Sequence, residues 1–574
     1  MMELYVAKAR ILVVFIGGGC YWLGWTGGWT ISGDFDIKDW NFQRMLEVQH
    51  NQFGGTAFFT WIVEPDLKNS TRNTIVVYKP FLTLYTRDNY LNETKDDEIL
   101  DACLSYMTEV GVLLGGDENA TTVLMKGVLD FETKLAEIIL PVEEKMDQDK
   151  IYEKMTIADL QELMPFIHWT HYFDSAFNNV GRKISASEDV VIYEKEYFVK
   201  LTELVTKYLS NPQRTVTLIN YATWTVIRET INYLSKPFRK AKEVLDEAFS
   251  GSEDKEIRWA TCFSAVDDGI TSALSAMFIR EAFEGEKKAM AESMVDKIKQ
   301  VFKENLYHID WMDPETQKRA AEKVDSLHEM IGFPDYIKYP DQVDEEYKDL
   351  EFSETDYFNN NMNVLQYNFR KDMKKLDLAP NRTEWMMSAT DINAYYSTSL
   401  NHIAITAAYL QPPFYDINYP KSINFGVMGS VMGHEITHAF DDSGRLYDEH
   451  GNLKQWAVGN LVLNGKTTLG ENLADCGGLN VAYQAYQKWI AENHKELPLP
   501  GVPFTHNQLF FLAYAQLECS VSTPEKLRSA VSTHSHTLPK YRVIGPLSNS
   551  EDFAREFKCP SKSAMNPQPK CKIW

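Results

Sequence analysis

The sequence predicts a mainly α-helical protein with a small β-sheet, and three observations predict it. Apolar residues recur at helical spacing through most of residues 40–375, as in ENATTVLMKGVLDFETKLAEIIL, EKEYFVKLTELVTKYL and MAESMVDKIKQVFKENL. Between Trp385 and Ala407 the texture changes, and DINAYYSTSL and NHIAITAAY gather Tyr, Ile and Thr between polar breaks, which reads as two short strands. After Pro420, the small and apolar stretch Phe425–Asp442, FGVMGSVMGHEITHAFDD, has no proline and reads as a continuous buried helix.

Taken in order, the chain opens with Lys8 and Arg10 ahead of ILVVFIGGGCYWLGWTGG, uncharged from Ile11 to Gly28. This is expected to be a signal peptide or short membrane anchor, or a misjoined segment, because it is Gly-rich and barely long enough to span. Four N-x-S/T sequons follow, at Asn69, Asn92, Asn119 and Asn381, and they favour a secreted or cell-surface location. The helical half is broken by NPQ and by Pro–Asp pairs at Pro334 and Pro340, with no repeats or low-complexity segment. A length of 574 residues suggests more than one domain. The net charge of −23 without a basic cluster argues against nucleic acid, whose phosphates draw on grouped Lys and Arg.

The chemistry is concentrated in the third observation. His434 and His438 lie four apart, so on a helix they share one face with Cβ atoms about 6 Å apart. They can offer two imidazole nitrogens to one ion, while Glu435 projects beside that ion. Zinc hydrolysis needs this pattern: neutral nitrogen ligands, an open position for water and a carboxylate to take a proton. A second stretch, Gly470–Gly478 (GENLADCGG), places Glu471 and Asp475 four apart on another helical face. That spacing suits a third ligand and a carboxylate bonded to the far nitrogen of a ligand histidine. Ordinary helix histidines and a solvated acidic face are the bland alternatives, and the two motifs together argue against both.

At these residues the sequence resembles the neprilysin and endothelin-converting-enzyme family of membrane zinc peptidases, over nearly everything from Gly27 to Trp574. The most specific pieces are NAYY (Asn393–Tyr396), LQPPFY (Leu410–Tyr415), GHEITHAFDDSGRLYDEHGNL (Gly433–Leu453) and TLGENLADCGGLNVAY (Thr468–Tyr483). NQLFFLAYAQLECS (Asn507–Ser520), HTLPKYRVIGPLSN (His536–Asn549) and the ending KCKIW add to these.

The resemblance implies one Zn2+ per chain held by His434, His438 and Glu471, with Glu435 as general base and Asp441 and Asp475 fixing the imidazoles. It implies that His536 stabilises the oxyanion; His534 competes, but His536 lies six residues before Arg542 as the family spacing requires. Arg542 is expected to grip the peptide carbonyl, and Asn393 and Ala394 to hold the substrate backbone along an edge strand. If Glu518 points away, Val431, Tyr409 and Phe414 are expected to keep the pocket after the scissile bond apolar.

The implied fold is a thermolysin-like zincin catalytic domain at 386–574, a large helical cap at 27–385 and the atypical N-terminus at 1–26. The implied activity is a zinc metalloendopeptidase cutting extracellular oligopeptides, membrane-anchored with its catalytic domain outside the cell or secreted. The alternative is an impaired peptide-binding homologue, or a partial gene model, that keeps the cleft.

The sequence also departs from the family pattern. Only 33 positions separate His438 from Glu471, and AVGNLVLNGK after Trp456 looks like the joined ends of a longer segment. Of seven cysteines, Cys519, Cys559 and Cys571 match disulfide positions whose partners fall in missing regions. Cys262 lacks its short-range partner, and Cys20, Cys103 and Cys476 have no assigned role. Glu518 stands where the family usually has a Trp, and is expected either to take a nearby cation or to turn to solvent. Thr406 stands where the family has Pro.

Overall fold

The computed structural model describes residues 29–571 apart from 32–34, 36, 38–39, 92–96, 146–147, 253–256, 284, 455–467 and 494. The possible anchor, the Asn92 sequon, Cys20 and most of the shortened segment after Trp456 lie outside the described residues.

The first core is built from α1 (Phe42–Phe53), β1 (Thr60–Asp66), β2 (Asn69–Tyr78), α2 (Asp97–Leu113), α3 (Glu118–Ile138), β3 (Tyr152–Thr156), α4 (Trp169–Phe177), β4 (Asp189–Tyr193), α5 (Lys195–Leu209), α6 (Pro212–Thr230) and α7 (Lys236–Ser250). The periodic runs form the expected helices, and their starts carry local signals. Asp117 accepts the Ala120 N–H ahead of α3, and Asn211 accepts two N–H groups ahead of α6, where Pro212 opens the first turn. Their apolar faces close over Phe131, Trp169, Tyr197 and Trp224, all buried.

A four-stranded sheet in the order β1-β2-β4-β3 lies within this half, which the sequence reads as mainly helical. Its central pair, β2 and β4, is parallel and joins residues more than a hundred positions apart. The apolar run of β2, Ile75–Val77, is too short for periodicity to separate strand from helix, so only distant partners reveal it.

The second core uses α8 (Arg258–Ala282), α9 (Lys287–Leu306), α10 (Pro314–Asp325), β5 (His328–Gly332), β6 (Ala394–Ser397), β7 (His402–Thr406), α12 (Ser430–His438), α13 (Leu469–Glu492), α14 (His506–Leu517), α16 (Pro539–Asn549) and α17 (Glu551–Glu556), with α11 (Tyr357–Lys374) between β5 and β6, while α15 (Pro524–Thr533) lies against α7. The two strands expected after Trp385 are β6 and β7; β5 was not foreseen and pairs parallel to β7. The order β5-β7-β6 leaves β6 at the edge.

The cores do not divide at residue 385. Residues 279–343, expected in the cap, pack into the second core, whereas Met373 and Leu376 at the end of α11 pack into the first.

The expected helix over 425–442 is modified at both ends. It begins at Lys421, widens into a π turn over Phe425–Gly429 and continues as α12 only to His438. Gly426 packs so closely on the Phe510 carbonyl that a Cβ would overlap it. Asp441 and Asp442 lie in the turn after the helix, and every residue of α12 up to Thr437 is buried.

Asn69, Asn119 and Asn381 are exposed, as glycosylation requires, and six described cysteines are free. α8 is long and apolar enough to cross a membrane by length and composition alone. It is kinked at Ile270, and its Ser275 hydroxyl accepts the Ala389 N–H at 3.2 Å.

Candidate active site and metal centre

Two glycines allow the backbones of α12 and α13 to touch. A Cβ on Gly478 would lie 2.6 Å from both the His434 nitrogen and the Ser430 carbonyl oxygen. A Cβ on Gly433 would lie 2.9 Å from the Gly478 Cα. This crossing carries the first turns of α13, with Glu471 and Asp475, onto the His434–His438 face.

His434 Nδ1 lies 2.9 Å from Asp475 Oδ1, and His438 Nδ1 lies 2.7 Å from Asp441 Oδ2. An ionised carboxylate only accepts, so each neutral imidazole carries its proton on Nδ1 and turns an Nε2 lone pair inward. The two Nε2 atoms are 3.0 Å apart. Glu471 Oε2 is 3.3 Å from one and 3.6 Å from the other and pairs with His536 Nε2 at 2.9 Å, although none of the three nitrogens meets it at hydrogen-bonding angles. With both imidazoles neutral, two lone pairs and an anionic oxygen would repel at this range, and either a proton or a metal cation among them relieves that repulsion. Two imidazoles and one carboxylate with space beside them are the donor set of a hydrolytic zinc site, so the residues present fit the metal.

The electrostatics agree with that arrangement. Burial disfavours a charged His434, but Asp475 and Glu471 outweigh it and lift the metal-free imidazole to about 8. Burial also acts against ionisation of Glu471 and Asp475, and here too it loses. His434, His438 and His536 hold Glu471 down, and Arg542 and His434 hold Asp475 down. Glu435, buried and without a partner of that kind in contact, is pushed up by burial, with the histidines opposing. A carboxyl group that gives up its proton less readily than usual suits proton transfer in both directions.

A cavity of about 370 Å³ surrounds this cluster and is lined by Glu435, Asn393, Ala394, Tyr409, Val431 and His536, among others. Phe414 does not line it. Its ring packs edge-on behind Tyr409 at 5.1 Å, so it supports the wall without forming it. His536 reaches the site, with Nε2 2.9 Å from Glu471 Oε2, whereas His534 is exposed and takes no part in the lining.

Arg542 donates two hydrogen bonds to Asp475, at 2.8 and 2.6 Å, so it also braces the carboxylate behind His434. Glu518 takes the cation option: its Oε1 is 3.5 Å from Arg542 Nη1, and its side chain is 15% exposed. Thr406 Oγ1 sits 2.9 Å from the Asn393 carbonyl and 2.5 Å from that of Asp391, tying down the residue at the start of β6.

Two contributors were missed from the sequence. Tyr514 donates to the Arg542 carbonyl at 2.8 Å, and Ser535 donates to Glu471 Oε1 at 3.2 Å. Tyr514 lies one helical turn before Glu518, a spacing that marks it for the same wall.

The N-terminal model of "Peptidase family M13" matches residues 21–334, and the peptidase model matches in two segments, 393–462 and 457–573. The endothelin-converting enzyme homolog of Locusta migratoria is 46% identical over 571 residues, covering 96% of this chain and 78% of its own. Neprilysin-3 of Drosophila melanogaster is 39% identical over 574 residues, covering 96% and 73%. The zinc metalloprotease ZMP1 of Mycobacterium tuberculosis has the same fold, with a TM-score of 0.81 at 23% identity over 100% of this chain and 92% of that one. The helix-rich zincin architecture expected from the sequence is therefore the one found. The chain belongs to peptidase family M13 and is a zinc metalloendopeptidase of the neprilysin type.

Proposed function

We propose that this chain cuts extracellular oligopeptides at the cavity beside β6, with Glu435 as general base and zinc held by His434, His438 and Glu471. One observation carries the reading: two inward Nε2 atoms and a largely buried carboxylate oxygen converge next to Glu435. When bound, zinc supplies Lewis acidity that makes water easier to deprotonate and a carbonyl easier to attack. Glu435 takes the proton from the attacking water and passes it to the departing nitrogen. His536, on the cavity wall, donates to the oxygen on which negative charge develops.

An extended peptide pairs with the free edge of β6, where Asn393 and Ala394 face the cavity. Asp441 and Asp475 keep the two imidazoles in the binding tautomer. Arg542 is anchored on Asp475 and presents its remaining donors towards Glu518 and the substrate. The exposed sequons and the similarity to endothelin-converting enzymes support a location outside the cell, anchored or secreted.

The test is Glu435→Gln, which keeps shape and metal but cannot accept a proton. Zinc content should stay at one per chain while turnover of a quenched peptide falls by about 10²–10⁴ or more. Near-normal turnover in this variant ends the mechanism. Wild-type protein that binds zinc and peptide without cutting supports the non-catalytic peptide-binding reading instead.

A further inference from the structure

Lys323, near the end of α10, is 1% exposed and belongs to no part of the machinery described so far. Its ammonium donates to three backbone carbonyls, those of Ala439 at 2.8 Å and of Gly444 and Tyr447 at 2.7 Å. An ammonium has three protons, and three carbonyls converge on them. A neutral amine would turn a lone pair on one of those oxygens, so the three contacts favour the charged form, against burial that lowers the amine's pKa to about 7.

The three carbonyls bracket one turn. Ala439 is the C-cap of α12, immediately after His438, where a cation also complements the helix end. Gly444 and Tyr447 lie on the far side, and the turn folds back so tightly that a Cβ on Gly444 would overlap the His438 carbonyl. Between them lies Asp441. Its Oδ1 accepts the N–H groups of Ser443 at 2.9 Å and Gly444 at 2.6 Å, which leaves Oδ2 for His438 Nδ1. The anchor itself is fixed from outside: Asn401 donates to the carbonyls of Lys323 and Glu449, both at 3.3 Å. A rigid path thus runs from α10 through Lys323 to the turn, to Asp441 and to His438.

We propose that Lys323 is a positioning residue for the metal centre, holding the 439–447 turn so that Asp441 fixes the His438 imidazole in its binding orientation. This rests on the metal-centre reading above. A merely structural lysine would lower stability without acting through Asp441, and a double-mutant cycle separates the two roles. Zinc affinity of the full chain is measured with a competing chelator for wild type, Lys323→Met, Asp441→Asn and the double variant.

Each single variant should weaken zinc by roughly 10–100-fold, and the double should be little weaker than the worse single. Wild-type affinity in Lys323→Met, or losses that multiply in the double variant, overturns the proposal. If Lys323→Met does not fold, Lys323→Arg serves, because its planar fork keeps the charge but cannot aim three protons at three convergent carbonyls. An Arg variant with wild-type affinity overturns the proposal too. Failure of the wild-type chain to hold one zinc would instead sink the metal-centre reading, and this proposal with it.

Discussion

The crossing of α12 and α13 makes Gly478→Ala a sharp test of how the metal centre is built. The new Cβ would stand 2.6 Å from two backbone atoms, the His434 nitrogen and the Ser430 oxygen, which cannot swing away as a side chain can. Ordinary contact begins at 3.4 Å, so the helices must part by roughly 0.8 Å, the difference between the two distances. Zinc sites tolerate ligand displacements of only about 0.2 Å. Overpacking of this kind costs about 1–3 kcal/mol, and each 1.4 kcal/mol that appears in binding is about tenfold in affinity.

The expected result is zinc affinity reduced by roughly 5–150-fold by chelator competition, together with a lower melting temperature of the metal-free protein. Gly545→Ala on α16 is the control, since a Cβ there meets nothing within 4 Å and its effect should be small. If Gly478→Ala binds zinc as tightly as wild type, the strain is absorbed elsewhere. The link from helix crossing to ligand geometry then fails, whatever happens to the melting temperature.

His434→Ala, His438→Ala and Glu471→Ala should each lose the metal and not only activity, as zinc content after dialysis will report. In wild type, zinc affinity should fall as pH drops below about 8. The metal-free His434 titrates there, and protonation below that value competes with the metal. Asp475→Ala and Asp441→Ala should be milder, losing roughly 10–100-fold in affinity by the same titration; complete metal loss would mean they do more than orient imidazoles. For Glu518, peptides differing only in the residue after the scissile bond should separate wild type from Glu518→Trp. Arg or Lys there should be favoured by wild type by roughly tenfold relative to the variant, because Arg542 already occupies part of the carboxylate and shares it. Identical rankings of Leu, Phe and Arg peptides would show that Glu518 does not read the substrate.

What could be read in advance follows physical range. The His434–His438 and Glu471–Asp475 spacings on α12 and α13, the strands β6 and β7 and the long helices are signals within one element, and each lies in the element its sequence predicts. The carboxylates behind the imidazoles were legible because they lie three to four residues from His438 and Glu471, two of the proposed ligands. The sheet of the first core was not, since β2 and β4 identify each other only across more than a hundred residues of intervening, mostly helical chain. Nor was Lys323, whose role depends on carbonyls more than a hundred residues away and leaves no side-chain pattern. Phe414 shows the complementary limit: an apolar residue in the right loop can line a pocket or back the residue that does, and only packing decides.

The interleaving of the two cores bears on how the protein can be cut. A fragment starting at residue 386 keeps every residue assigned to the metal and the base, but discards α9, α10 and β5. β7 would lose its parallel neighbour and expose a bare strand edge, the kind that recruits other chains. The apolar face that α9 lays in the second core would open to water, and the carbonyls of Ala439, Gly444 and Tyr447 would lose their shared donor. The hydrolytic half is therefore not a detachable module: its foundations are laid by an earlier stretch of chain, which must be made and placed before the site can close.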